Sequence, residues 1–329
     1  MNAAPAIQTS VEPHEPHWIS RAAFQVLIVL FLLTEMSLGY AVFRANYWLA
    51  GALVLLSSHL MHGTLIGFHE ASHGLLRKSR LLNEIDGLII GTLSLMSFSL
   101  YRAAHQLHHA YLASERDEEL WPFVHPWMPR AVRILAAVLE LTMGILFTPF
   151  LFLRTFLREG SPIRNKKLRR RIWTEFAVIG VVWAGILVAA AFFHGWKYLL
   201  WLYVIPAWVA ANMQSVRKYV EHVGLTGSTV NSSTRSVVAE GWTATLLNFS
   251  LLHEPYHGVH HWRAGLPHPE LPGHAAALEP TVEQERPPFR TFGAALYDLV
   301  INLPDPRVGA QWLGVARQTR QEMARQRSS

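Results

Sequence analysis

The chain has 329 residues, of which 51% are hydrophobic and only 16% charged, with a formal net charge of +6, 18 histidines and no cysteine. A soluble domain usually carries about 25% charged residues, so the shortfall puts part of the surface against lipid. Without thiols there are no disulfides, thiolate zinc sites, cysteine-ligated iron–sulfur clusters or cysteine nucleophiles, and any metal must be held by nitrogen or oxygen.

In chain order, residues 1–21 read as a polar N-terminal tail with Pro5, Pro13 and Pro16 and no basic run of the kind that opens a signal peptide. Ala22–Phe43 and Tyr47–Phe68 each approach the roughly 20 apolar residues that cross a bilayer, and the short link Arg44–Asn46 makes them a hairpin. Ile85–Tyr101 is short and rich in Ser and Thr, which suits an in-plane or partly buried helix. Val132–Phe156 is long enough to span, but Glu140, Gly144 and Pro149 suit a re-entrant or broken helix. Trp173–Phe193 and Lys197–Met213 form a second hairpin that turns at His194–Gly195. From Glu221 the chain is more polar and Pro-rich, which predicts a cytoplasmic helical cap, and 305–329 reads as a basic tail. The expected fold is all-α and polytopic: two transmembrane hairpins, in-plane or re-entrant helices and the cap, with residues 22–304 as one membrane domain.

The positive charge does not point to nucleic acid. It concentrates in Arg164, Lys166, Lys167, Arg169, Arg170 and Arg171 and again from Arg307 to Arg327, beside apolar or terminal sequence. Such blocks mark the cytoplasmic membrane surface, and the first of them is also a candidate docking surface for an acidic partner.

Three histidine clusters stand at or beyond the ends of apolar runs. They are His69 and His73; His105, His108 and His109; and His257, His260 and His261, with His253 one turn earlier and His222 alone. Residues three and four apart share a helix face, so each cluster aims several imidazoles at one point, and neutral imidazole suits iron, zinc, copper or nickel. Nine such residues exceed the need of one ion, and two is the natural count. To act together the three clusters must lie on one side of the membrane, so neither Ile85–Tyr101 nor Val132–Phe156 makes a single crossing. Glu70, Asp86, Asp117, Glu118, Glu221 and Glu254 are candidate acceptors for the outer ring nitrogens. His59, His62, Glu35 and Glu140 lie within apolar runs, where ionisable groups are costly and tend to be functional. His14, His17, His125, His194, His268 and His274 read as ordinary surface or core residues.

The order HxxxH, HxxHH, HxxHH, split by membrane hairpins, resembles the membrane fatty acid desaturase family within the histidine-box di-iron superfamily. The likeness runs from about Phe24 to His274 and includes Leu82-Asn83 after the first box, Asp117-Glu118-Glu119 after the second, and Leu266-Pro267 and Leu271-Pro272 after the third. It implies His69, His73, His105, His108, His109, His222, His257, His260 and His261 as metal ligands, two iron ions as cofactor and O2 as co-substrate. Some members have an asparagine at the position of Lys218, which contacts the metal through water. The stretch Tyr219–Leu225 is also similar to membrane alkane hydroxylases. The expected reaction is desaturation of an acyl chain of a fatty acid or lipid, with hydroxylation of a lipid, alkane or carotenoid as the alternative. No fused haem domain is evident, so the electron donor is expected to be a separate protein of ferredoxin, rubredoxin or cytochrome type. The expected setting is the cell inner membrane, with the site on the cytoplasmic face.

Two other classes fit less of the chain. His69–His73 and His253–His257 each read HExxH, the signature of zinc proteases. One such site leaves His105, His108, His109, His260 and His261 unused, and Pro255 is poorly placed for a helix. A membrane metal carrier needs ligands along a path inside the spans, and only His59 and His62 meet that need.

Overall fold

The computed structural model describes residues 18–314, and its regular structure is helical apart from one isolated bridge, Val237 with Phe289. The expected tail at 1–21 lies almost wholly outside the described residues, as do His14, His17 and residues 315–329. In chain order the first seven helices are α1 (Trp18–Arg21), α2 (Ala23–Phe43), α3 (Tyr47–His73), α4 (Arg80–Leu93), α5 (Phe98–Ala110), α6 (Arg130–Leu157) and α7 (Lys166–Phe192). They are followed by α8 (Trp196–Leu199), a π-helical turn at Leu200–Val204, α9 (Ile205–His222), α10 (Val230–Ser233), α11 (Trp242–Ser250), α12 (His257–Trp262), a 3-10 stretch at His268–Leu278 and α13 (Phe292–Asn302).

Five helical segments are long and apolar enough to cross a membrane: α2, α3, α6, α7 and the continuous run Trp196–His222. The predicted spans are therefore present, but the helices outlast the apolar sequence. α3 runs on from Phe68 to His73, α7 begins at Lys166 rather than Trp173, and α9 continues from Met213 to His222. Side chains decide these ends. Asn46 caps α3 by accepting from Leu49 N at 3.2 Å, and Asn165 caps α7 through Leu168 N at 3.1 Å. Gly74 ends α3 in the left-handed region at φ 77°, which a β-carbon would penalise. Outward residues such as Leu32, Met36, Val181, Val188 and Phe192 are exposed, as lipid-facing positions are.

The segment Ile85–Tyr101 is a bent pair rather than one helix. α4 and α5 meet at 103°. Gly87 permits this, since a β-carbon there would stand 2.3 Å from the Phe98 ring. The pair enters just after the end of α3 and returns box two to box one, so it makes no crossing.

α6 also begins and ends on one side. At its start, Arg133 donates to Pro306 O at 2.9 Å and Arg130 to Pro304 O at 2.8 Å. At its end, Arg154 reaches Glu118 at 3.2 Å, and Arg158 pairs with the same carboxylate. The segments around 118 and 306 are joined, for Val308 N donates to Phe123 O at 3.1 Å. Between these ends the helix breaks at Met143 (φ −129°, ψ 33°). The backbone groups freed there are taken up by α9: Gly144 N donates to Asn212 Oδ1 at 2.9 Å, and Thr142 O accepts from Trp208 Nε1 at 2.7 Å. α6 is thus long and apolar enough to span yet dips in and returns, which leaves α2–α3 and α7–α9 as the two hairpins.

Ionisable residues within the apolar runs act as ties. Glu35 accepts from Ser57 between α2 and α3. Glu140 on α6 pairs with Lys218 and accepts from Tyr219 Oη at 3.0 Å, both on α9. Residues 305–314, read from sequence as the start of a tail, are packed. Val308 and Trp312 are buried, and Trp312 Nε1 donates to Phe123 O at 2.8 Å.

Candidate metal centre

The ends of α3, α5 and α9 and the whole of α12 meet on one side, and all nine histidines of the expected set converge there. They form two groups. One holds His69, His73, His105, His109 and His260; the other holds His108, His222, His257 and His261, with the facing ring atoms of each group all within 4.8 Å of one another. All nine are buried or half-buried.

The boxes do not map one to one onto the groups. Each HxxHH box sends its pair four residues apart to one group and its remaining histidine to the other. His105 and His109 join the first group while His108 joins the second; His257 and His261 join the second while His260 joins the first. The adjacent residues His108–His109 and His260–His261 therefore straddle the two groups. The expectation that each box aims at one point holds for His69 and His73 and is corrected for the two HxxHH boxes: successive residues on a helix are about 100° apart, so their neighbouring rings face different centres.

In the first group the Nε2 atom of His105 lies 2.8 Å from that of His69, 3.0 Å from His73 and 3.1 Å from His109, and His260 Nε2 lies 3.0 Å from His109 Nε2. In the second, His257 Nε2 lies 2.9 Å from His222 Nε2 and 3.1 Å from His261 Nε2. Two nitrogens about 2.1 Å from one ion and at right angles stand about 3 Å apart.

The outer nitrogens settle which ring atoms carry protons. His105 Nδ1 faces Glu119 at 3.0 Å, His108 Nδ1 faces Asp117 at 2.9 Å, His257 Nδ1 faces Glu254 at 3.0 Å, and His222 Nδ1 faces Ser233 O at 3.2 Å. A nitrogen facing an acceptor carries the hydrogen, which leaves the Nε2 lone pairs pointing inward. Converging lone pairs repel unless a cation sits among them, so the donor set fits metal ions. Burial holds the pKa of His257 down to about 4, which keeps the ring neutral near pH 7. Burial likewise raises Glu119 to about 7, with the charges of Lys218 and Arg217 opposing it.

Of the six acids expected around the rings, Asp117 and Glu254 hold ring nitrogens directly, and Glu221 lies 3.6 Å from His257 Nδ1. The other three do not. Asp86 pairs with Arg77 at 2.6 Å, Glu118 serves Arg154 and Arg158, and Glu70 accepts from His268 N at 3.3 Å. Glu119 was missed, although its place in the run 117–119 was the available signal. Lys218 turns to Glu140, away from the rings. His253 stays outside both groups and pairs with His268, Nδ1 to Nδ1 at 3.3 Å. His268 is buried rather than ordinary, and nothing in the spacing of these two residues signals their meeting. His59 contacts Ser250 Oγ at 2.8 Å, and His62 is buried in α3 two turns before His69, so both lie below the groups.

A family model for fatty acid desaturases matches residues 46–293. Among curated relatives, the chloroplastic omega-3 fatty acid desaturase of Brassica napus is 23% identical over 77% of this chain and 67% of its own length. The chloroplastic sn-2 acyl-lipid omega-3 desaturase (ferredoxin) of Arabidopsis thaliana is 23% identical over 72% and 57%, and the chloroplastic omega-3 fatty acid desaturase of Glycine max is 24% identical over 60% and 46%. The chain thus spans about half to two thirds of the length of these relatives. With the family match over most of the chain and histidine groups able to hold metal, the protein is an oxidoreductase of the fatty acid desaturase family.

Proposed function

We propose that the protein is an O2-dependent di-iron membrane oxidase that desaturates an acyl chain of a fatty acid or lipid. The observation that carries this reading is the convergence of five and of four imidazole nitrogens into two adjacent groups. His69, His73, His105, His109 and His260 would hold one ion, and His108, His222, His257 and His261 the other. Bound iron supplies, with dioxygen, the redox chemistry that removing hydrogen from an unactivated methylene demands.

Glu70, Asp117, Glu119, Glu221 and Glu254 are buried around the imidazoles, and Arg217 is the cation paired within that set. The protein's part is to hold the Nδ1 protons of His108, His105 and His257 through Asp117, Glu119 and Glu254, so that the inward nitrogens of these rings are free to bind.

The site's position where the spans emerge lets a lipid chain enter from the bilayer while electrons arrive from a soluble donor of ferredoxin, rubredoxin or cytochrome type. The Arabidopsis relative's name specifies ferredoxin. Lys166, Lys167 and Arg170 are exposed at the start of α7 on the same side as the site. The positive-inside rule supports that side as the cytoplasmic face, and the membrane in this reading is the cell inner membrane.

The test is lipid profiling of cells expressing the wild type or His108→Ala, together with iron content and O2 consumption of the purified protein. A new double bond that the variant fails to make is the expected result. A new hydroxyl in its place would assign hydroxylation, and equal products from both proteins would refute the ligand set.

A further inference from the structure

Glu254 lies between the two histidine groups and touches a ring in each. Its side chain is fully buried. One oxygen accepts from His257 Nδ1 at 3.0 Å and from Arg217 Nη1 at 2.6 Å. The other stands 3.3 Å from His69 Nδ1. His257 belongs to the group of four and His69 to the group of five. The remaining carboxylates are not shared in this way: Glu119 faces His105 and Asp117 faces His108.

The backbone is shaped to put Glu254 there. Leu252 and His253, the two residues before it, both take left-handed conformations, at φ 49° and 56°. Non-glycine residues pay for that conformation, and consecutive ones persist only where surrounding contacts over-determine them. The turn is closed by His253 N donating to Asn248 O at 2.7 Å. Arg217 then locks the carboxylate from the α9 side and also binds Glu221, the neighbour of His222, at 2.7 Å. A single buried cluster thus reaches His69, His257 and His222.

We propose that Glu254, held by Arg217, is a positioning residue shared by both metal subsites, so that the two ions load and leave together. The proposal rests on the two-ion reading. A histidine that binds metal through Nε2 must keep its proton on Nδ1. Glu254 accepts a hydrogen bond from that proton on His257 in one group, and its other oxygen stands 3.3 Å from His69 Nδ1 in the other, neither of those two atoms having a hydrogen-bond partner elsewhere. When one group fills, its ring fixes the carboxylate, and the fixed carboxylate pre-orients the ring of the other group. Outer hydrogen-bond partners of metal ligands change metal affinity by about 10- to 100-fold, which is enough to couple the sites measurably.

The experiment uses the full-length protein in detergent, loaded anaerobically with Fe(II). It reads bound iron per chain by elemental analysis and the time course of release to a chelator. The wild type is expected to release both ions in one phase. Glu254→Gln keeps the side-chain volume but turns a donor toward one of the two Nδ1 protons. It is expected to weaken both subsites about 10- to 100-fold. Asp117→Asn and Glu119→Gln each alter the acceptor of a single ring and are each expected to loosen chiefly the ion which that ring binds, the other following only through Glu254. Arg217→Lys keeps the cation, loses the planar group whose Nη1 serves Glu254 and Glu221 while Nε serves Gln214, and is expected to repeat the paired loss in milder form, which guards against a Glu254 variant that fails to fold. Glu254→Gln that holds two ions like the wild type, or surrenders just one like Asp117→Asn, overturns the proposal. A wild type that holds one ion or none would sink the two-ion reading itself, a result visible before any variant is made.

Discussion

The two histidine groups differ in how they are built. The group of five takes two pairs spaced four apart, His69 with His73 and His105 with His109, and adds His260. The group of four has one such pair, His257 with His261, and draws His108 and His222 singly from α5 and α9. Helical pairs come pre-aligned, because residues four apart already share a face. The group of four depends more on tertiary placement, and Lys218, one turn before His222, is drawn off by Glu140 and supplies nothing to it. The difference teaches that the first group is largely local in origin and the second is assembled by packing.

The largest effect should come from removing a ligand. His105→Ala and His108→Ala are each expected to abolish lipid oxidation. If the groups bind separate ions, His105→Ala should empty the group of five and His108→Ala the group of four, each with weaker retention of the other ion through Glu254, read as different spectroscopic signatures of the remaining iron. Identical remaining signals would break the comparison. Next come the acids, where Asp117→Asn should weaken the group of four and Glu119→Gln the group of five, each about 10- to 100-fold in iron affinity. Equilibrium loading curves check this, and a Glu119→Gln effect as large on the second ion as on the first would erase the distinction.

A smaller effect concerns pH. Burial lowers His253 to about 4 and His268 to about 3, with the charge of His253 adding to the effect on His268. Both rings are neutral when folded, while the unfolded chain takes up protons near pH 6.5. The unfolded state therefore binds more protons between about pH 6.5 and 4, so stability is full above that window and falls as pH drops through it, by on the order of 1 kcal/mol per pKa unit. Thermal unfolding of the metal-free protein at pH 7 and 4.5 checks the sign. Replacing both residues with Gln should reduce the dependence, leaving the part owed to His257 and the other buried imidazoles of the two groups. The smallest expected effect is that of Asp86→Asn. Its partly exposed pair with Arg77 contributes about 0–1 kcal/mol, and iron affinity of both groups should stay unchanged.

Much of this was legible in the sequence because it depends on short spacing. The hairpins follow from apolar runs, and the nine histidines follow from intervals of three and four at the ends of those runs. The ends of α3, α7 and α9 were not legible. Hydropathy reports where a chain stops being apolar, and these helices continue as polar helix beyond that point, which is how His69, His73 and His222 leave the apolar zone. The division of each box between two groups was hidden for a related reason. Spacing shows that His105, His108 and His109 lie near one another, but only the direction of each ring shows which centre it serves. Glu119, the dual contact of Glu254 and the pairing of His253 with His268 depend on segments that meet in space. No periodicity announces such meetings. The return of α6 was expected from the need for one common side, and its cause, Asn212 and Trp208 accepting and supplying the broken hydrogen bonds at Met143, came from a helix some 60 to 70 residues away.

The straddling pairs His108–His109 and His260–His261 have a mechanical consequence. Each pair joins the two groups through a single peptide unit, and the peptide is planar and stiff. The backbone anchors of the two groups are therefore tied at two points to the fixed Cα spacing of one peptide, so neither group can drift from the other without its rings turning about their own side-chain torsions.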